Sequence, residues 1–172
     1  MAGLKQFFRE NLAGTQKLAI LGAGSCLKAD DAAGIEIVER IIKKYTEDCS
    51  PVLRAYCGST APENYTGAIK SFAADHILII DAADIGEEPG TVSVIQSDVI
   101  SGVSFSTHML PLKVLVEYLK SEIGCRVTVI GIQPLDLSFG APMTPPVRKS
   151  VNSLKAALVS VLREQGFIGD AA

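Results

Sequence analysis

The sequence has 172 residues, of which 48% are hydrophobic, so it is long and apolar enough to form one compact domain with a substantial core. Its formal net charge is −3, from 16 basic and 19 acidic residues, and a broad positive surface is therefore absent. Nucleic acids and anionic membranes, which select such a surface, are excluded as partners.

The cysteines and the N-terminal residues indicate in which cellular compartment the protein works. No C-x-x-C pair occurs among the four cysteines, and charged residues interrupt the apolar residues of the N-terminus, so a secretory leader cannot be built there. No apolar run reaches the ~18 residues that cross a bilayer. The sequence predicts a cytoplasmic protein with reduced thiols. The cysteines are Cys26, Cys49, Cys57 and Cys125.

The first half of the chain alternates between apolar runs and amphipathic segments. Residues 1–16 carry apolar side chains at helical spacing and predict an extra N-terminal helix ahead of the fold proper. The following segments read as strand, helix, strand, helix and strand. These predicted elements are Lys17–Gly24, Asp31–Tyr45, Val52–Cys57, Pro62–Phe72 and His76–Asp81.

The second half begins with a short segment, Thr91–Gln96, that follows the previous strand after only a turn-like connection. Such a short connection predicts antiparallel pairing at a sheet edge. A helix at Leu110–Glu122, a buried strand at Arg126–Gln133 and a closing helix at Pro146–Gln165 follow. We therefore predict a three-layer α/β domain spanning residues 1–172. It has a mainly parallel, twisted five-stranded sheet with one antiparallel edge strand and helices on both faces.

Three polar residues fall where ligand sites gather in open α/β sheets, beyond the carboxyl ends of the strands. Asp31 follows the first strand, Asp81 ends the third, and His108 precedes a helix after the edge strand. All three can therefore reach one rim of the sheet. Two carboxylates and an imidazole suit a divalent cation such as nickel or zinc, with coordination positions left open for a substrate.

Structural roles for the same residues compete with this hypothesis. Asp30 or Asp31 can cap the helix that follows, because aspartate is strongly preferred at that position. His108 can be a residue of the first helical turn that bonds to the backbone. Asp81 favours a functional role, since an acid at the end of an apolar strand is costly to bury without a partner.

Two other residues, His76 and Cys26, are candidates for additional ligands. His76 begins the strand that Asp81 ends, and five residues at ~3.3 Å each place it roughly 16 Å away, at the opposite rim. Cys26, in the first loop, can supply a soft ligand or fill apolar space, and the second is commoner for a lone cysteine.

Two common chemistries are disfavoured. The glycine-rich turn GAGSCL has Leu27 where a dinucleotide-binding G-x-G-x-x-G needs its third glycine, and the second strand ends without an acid for a ribose. No nucleotide cofactor is therefore expected. A serine hydrolase is equally unsupported, because no G-x-S-x-G elbow occurs.

An ordered series of segments resembles the [NiFe]-hydrogenase maturation endopeptidases, and most of all the type that serves formate hydrogenlyase (hydrogenase 3). The resemblance runs from about Leu18 to Val151. Its segments are LGAGSCLKADDAAG, GSTAPEN, LIIDAADIGEEPG, THMLPL, GIQP and PMTPPV.

The resemblance implies roles for the three candidates. Asp31 matches the second acid of the family's D-D/E pair, Asp81 its strand-end aspartate and His108 its histidine, the trio that binds metal. Two positions depart from the family pattern: Ser25 replaces an asparagine, and Ala32 replaces a glycine. These departures bear on whether the first loop holds Asp31 in the family's conformation.

The resemblance also implies the substrate. Such proteases remove a C-terminal peptide from the hydrogenase large-subunit precursor after nickel insertion, and the nickel is expected to be presented by the precursor. A monomer is expected, because the enzyme must dock onto a large partner. The alternatives are a self-contained zinc peptidase or amidase and a non-catalytic nickel chaperone.

Overall fold

The computed structural model describes residues 2–46, 50–95, 104–105 and 112–169. The strands are β1 (Leu18–Ala23), β2 (Leu53–Ser59), β3 (His76–Asp84), β4 (Val92–Ile95), β5 (Ser104–Phe105) and β6 (Arg126–Ile132). The α-helices are α1 (Ala2–Asn11), α2 (Ala33–Ile41), α3 (Thr66–Phe72), α4 (Leu112–Tyr118) and α5 (Pro145–Glu164). Short 3₁₀ turns, Ala29–Ala32 and Pro62–Tyr65, precede α2 and α3.

Five of the strands form one mixed sheet in the order β2-β1-β3-β6-β4. The first four strands in this order run parallel, and β4 pairs antiparallel with β6 at the edge. The predicted five-stranded, mainly parallel sheet with an antiparallel edge strand is therefore confirmed. The two-residue β5 lies off this path and pairs antiparallel with the end of β3.

The central strands are apolar because helices cover both sheet faces. One apolar cluster joins the sheet to α1, α2 and α5, with Phe8, Ile37 and Leu154 all fully buried. A second cluster, which includes Ile69 and Leu115, joins the opposite face to α3 and α4. The predicted helices on both faces are thus confirmed.

The structure corrects two element boundaries near the site. β3 continues to Asp84 rather than ending at Asp81, because residues 83 and 84 pair with β5 and prolong the ladder. The second helix begins at Ala33 rather than Asp31, because the preceding residues form a 3₁₀ turn. Asp81 therefore lies inside a strand, and Asp31 lies in the turn that enters a helix.

The N-terminal segment forms α1, which packs on α5. Phe8 is fully buried there, and Arg9 pairs with Glu164 of α5 at 2.8 Å. Within the described residues, none of the helices has both the length and the apolar character to span a bilayer.

His76 lies at the amino end of β3, away from Asp81, as the strand geometry predicts. Its ring is 1% exposed, with Nδ1 3.2 Å from the Thr15 hydroxyl and Nε2 2.9 Å from the Thr128 hydroxyl. Thr128 donates its own proton to Asn11, and Arg126 donates to Thr15. The network fits a neutral ring whose Nε2 donates and whose Nδ1 accepts.

Acid is therefore expected to destabilise the fold through His76. Burial and then the charge of Arg126 lower the pKa of His76 to about 4, against 6.5 for a free side chain. The unfolded chain binds this proton first. The contribution of His76 to stability is thus complete above pH 6.5 and falls as the pH drops towards 4. Between pH 7.5 and 5 the loss is about 2 kcal/mol.

Urea unfolding at pH 7.5 and pH 5 measures this loss. The control is His76→Gln, which keeps hydrogen-bonding groups but does not titrate. We expect the variant's free energy of unfolding to change less than that of the wild type over the same interval. Equal losses in the two proteins would remove His76 as the source of the acid sensitivity.

Candidate active site

The site lies where the connections from the sheet diverge. From β1 the chain passes through α2 to β2 on one side, and β3 lies on the other side of β1. Crevices in open α/β sheets form at such a switch point, outside the carboxyl ends of the strands. Asp31 follows β1 and Asp81 belongs to β3, so the topology brings both acids to this crevice.

Gly34 allows the start of α2 to lie very close to β1 and β3. A Cβ atom on Gly34 would lie 2.1 Å from the carbonyl oxygen of Ile80 and 2.7 Å from that of Ala23. The first turn of α2 therefore rests directly on the end of β1 and the middle of β3. Asp31 lies three residues before Gly34, and Asp81 immediately follows Ile80. This contact brings the two segments that carry the aspartates to the same edge of the sheet.

A second glycine shapes the first loop around Asp31. Gly24 has φ +122°, and a Cβ atom there would lie 1.9 Å from the carbonyl oxygen of Asp31. The backbone N–H of Ser25 donates to that oxygen at 3.2 Å. Any other residue at position 24 would force the loop away from Asp31.

The two departures from the family pattern are accommodated in this loop. Ala32 has φ −71° and ψ −6°, a conformation that alanine adopts without strain, so glycine is not required there. Ser25 is buried, and its side-chain oxygen accepts the N–H of Leu27 at 3.3 Å. The loop therefore closes around Asp31 with the residues present.

Asp31 and Asp81 are both completely buried. One oxygen of Asp81, Oδ1, accepts the backbone N–H of Ala82 at 2.8 Å. Burying two carboxylates is costly, because each loses its hydration. Such an arrangement is typical of a functional site. As oxygen donors, the two acids fit part of the coordination shell of a divalent cation.

His108, the third predicted residue, lies outside the described residues. The flanking residues are described: Phe105 of β5 pairs with Ala83 of β3, and α4 begins at Leu112. Over the described part of the chain, no three His, Cys, Asp or Glu side chains come together closely enough to hold a metal ion. The three-residue site therefore stays a prediction.

Asp30 has a structural role that the sequence did not reveal. It is fully buried, and its carboxylate accepts the backbone N–H groups of Leu135, Asp136 and Thr144 at 2.6 to 3.0 Å. The Thr144 hydroxyl donates to it as well, at 2.9 Å. Asp30 thus holds the loop after β6 against the first loop. Its position beside Asp31 was the only signal in the sequence.

Helix capping does not explain Asp30. The residue that caps α2 is Ala32, which makes no side-chain cap hydrogen bond. The hydrogen bonds of Asp30 go to the loop after β6 instead. The capping alternative is therefore wrong for Asp30.

The cysteines near the first loop do not form a ligand cluster among the described residues. Cys26 is exposed rather than a buried apolar filler. Cys57 is half-buried, and burial followed by the nearby Glu39 raises the pKa of its thiol to about 11. The Cys57 thiol is therefore protonated at neutral pH.

Comparison with known proteins identifies the family. A family model described as hydrogenase maturation protease (HycI) matches residues 35–161. The hydrogenase 3 maturation protease of Escherichia coli K12 is 33% identical over 153 residues, which cover 86% of this chain and 92% of that protein. The chain belongs to the hydrogenase maturation proteases.

Solved structures of this protease family show the same fold. The [NiFe] hydrogenase maturation protease HycI of Thermococcus kodakarensis superposes with a TM-score of 0.81 at 25% identity, over 91% of this chain and 99% of that one. The endopeptidase HycI of E. coli gives 0.70 at 31% identity, over 91% and 97%. The resemblance inferred from the sequence motifs, including its hydrogenase 3 type, is confirmed, and the chain is a peptide-bond hydrolase.

Proposed function

We propose that this protease removes the C-terminal peptide of a [NiFe]-hydrogenase large-subunit precursor after nickel insertion, using Asp31, Asp81 and His108. The observation that carries the proposal is the complete burial of two aspartates, Asp31 after β1 and Asp81 in β3, at the switch point of a hydrogenase maturation protease. Nickel enters this reaction as part of the substrate, held by the precursor.

Burial of the carboxylates supports nickel delivery by the precursor. Asp31 and Asp81 have no exposed surface, so free aqueous nickel meets no open pair of carboxylates. A precursor that docks and exposes the pair offers them a metal that is already held by its own ligands. Recognition and cleavage then depend on the same ion.

Chain connectivity supports His108 as the third residue. It follows Phe105 by three positions, and Phe105 pairs with Ala83, two residues beyond Asp81. It precedes Leu112 by four positions, and Leu112 is buried in the apolar cluster on the α3 and α4 face. Three residues span at most ~11 Å, so the chain between Phe105 and His108 is short enough for the histidine to reach the end of β3.

The carboxylates supply the acid–base part of the reaction. Nickel held by the precursor would supply Lewis-acid polarisation of the scissile carbonyl. Asp31 or Asp81 orients the attacking water, takes its proton as the oxygen bonds to the carbonyl carbon, and returns that proton to the leaving amine as the C–N bond breaks. The second carboxylate would help to hold the metal. The imidazole of His108 provides a nitrogen donor of the kind nickel accepts.

The test uses two forms of the large-subunit precursor, one loaded with nickel and one nickel-free. Each is incubated with the protease, and the product masses are read. We expect the loaded form to lose a short C-terminal peptide and the nickel-free form to be cut at least about tenfold more slowly. A tenfold difference corresponds to ~1.4 kcal/mol of discrimination at the transition state.

Other outcomes of this experiment would favour one of the two alternative functions. Equal cleavage of both forms, with tightly bound stoichiometric metal in the purified protease, favours a self-contained zinc peptidase or amidase. A precursor of unchanged length in both forms favours a nickel chaperone. We also propose that the protease works in the cytoplasm as a monomer, which sedimentation of the purified protein tests.

A further inference from the structure

Two loops beside the candidate site expose large apolar side chains. Leu27 in the first loop is 58% exposed, and Phe139 in the loop after β6 is 75% exposed. Leu135 and Leu137 of the same loop are also exposed. We call these four side chains the apolar rim. The other exposed large apolar side chains among the described residues, Val94, Val114 and Tyr118, lie on β4 and α4.

Hydrogen bonds fix the backbone of the two loops that carry the apolar rim. The N–H of Gly140 donates to the carbonyl of Leu27 at 2.8 Å, and Lys28 and Phe139 form an antiparallel bridge. The N–H of Asp30 donates to the carbonyl of Asp136 at 3.0 Å, in addition to the bonds that the Asp30 carboxylate accepts. A binding surface fixed in this way loses little conformational entropy when a partner docks.

The two loops that carry the apolar rim adjoin the segment that carries Asp31. The loop after β6 is hydrogen-bonded to Asp30, which precedes Asp31 in the chain, and Leu27 lies four residues before Asp31. A precursor that docks at Asp31 therefore lies beside these two loops.

The size of the apolar rim favours a transient partner over a second copy of the chain. Four partly exposed side chains offer a few hundred Å² at most. A stable dimer interface buries ~800 Å² on each partner. The apolar rim by itself is too small for that, but it suits the anchor region of a short-lived enzyme–substrate complex.

We infer that the apolar rim of Leu27, Leu135, Leu137 and Phe139 docks an apolar segment of the precursor next to the bond that is cut. The inference rests on the proposed function and deepens it. The apolar rim determines how tightly the precursor binds, whereas Asp31, Asp81 and His108 determine how fast the bound precursor is cut. The two roles have separate kinetic signatures.

The test measures binding and cleavage of the nickel-loaded precursor by Phe139→Ser and Leu135→Ser. Biolayer interferometry gives Kd, and product masses over a range of precursor concentrations give KM and kcat. We expect each variant to raise Kd and KM about tenfold and to leave kcat unchanged. The matched control, Tyr118→Ser on α4, removes an exposed aromatic ring elsewhere and is expected to match the wild type. Circular dichroism confirms that the exposed-site variants fold.

The experiment distinguishes a wrong docking surface from a wrong proposed function, because it measures binding and cleavage separately. If the wild type cuts the precursor and both rim variants bind it as tightly as the wild type, the inference is wrong and the proposed function stands. If no protein cuts the precursor but binding still weakens only in the rim variants, the docking surface stands and the proposed function fails. A wild-type dimer that Phe139→Ser dissociates, with precursor binding unchanged, would assign the apolar rim to a second copy and overturn the inference.

Discussion

Asp81→Asn is expected to slow cleavage of the nickel-loaded precursor by about 1,000-fold, the scale of a lost acid–base group. Asparagine keeps the size of the side chain and an oxygen that can accept the N–H of Ala82, but it has neither the negative charge nor the basicity of the carboxylate. The fold should therefore survive while the chemistry is lost. The measurement is the single-turnover rate of product formation at saturating precursor.

Asp31→Asn and His108→Ala are expected to have comparable effects, since all three side chains are proposed to serve one site. Asp75→Asn is the matched control. Asp75 accepts the backbone N–H groups of Gln16 and Lys17 at the amino end of β3, away from the site. Normal cleavage by Asp31→Asn, Asp81→Asn or His108→Ala would remove that residue from the proposal.

Asp30→Ala is expected to lower the free energy of unfolding by about 3–5 kcal/mol. The substitution removes the acceptor of three backbone N–H groups and one hydroxyl, all contributed by the loop after β6. Each buried donor left without an acceptor costs about 1–3 kcal/mol, and partial relaxation of the loop towards water recovers some of this cost. Urea unfolding at pH 7.5 measures the change.

Asp136→Ala is the matched control for Asp30→Ala, because it removes an exposed carboxylate from the same loop. We expect little change in its free energy of unfolding. Asp30→Asn should lie between the two, since its amide keeps one acceptor oxygen but turns N–H donors towards the donors of the loop. A stability of Asp30→Ala equal to that of Asp136→Ala would show that the carboxylate does not hold the loop.

The sequence did not distinguish the role of Asp30 from that of its neighbour Asp31. Both are aspartates just before a helix, and both fit the preference of a cap. In the structure neither occupies the cap position of α2, and their roles differ. Asp30 bonds to residues more than 100 positions away along the chain, and no local pattern specifies such a contact.

Gly34 and the end of β3 show the same limit. In the sequence, Gly34 is an ordinary residue of a predicted helix. In the structure, the carbonyl oxygens of Ile80 and Ala23 lie so close to it that a side chain would not fit. β3 extends past Asp81 because β5 pairs with it, and that pairing depends on where a distant segment lies. Both features follow from long-range packing.

The sequence by itself determined the alternation of strands and helices, the antiparallel edge strand and the placement of Asp31 and Asp81 at one rim. These follow from apolar periodicity, from connection length and from the fact that parallel strands end on the same side of the sheet. The ordered motifs determined the family. The tertiary structure alone decided that Asp30 is an anchor, that Gly34 lets α2 approach β1 and β3 closely, and that the side chains of the apolar rim are exposed. Each of these depends on contacts between segments that are remote in sequence and close only in the folded chain.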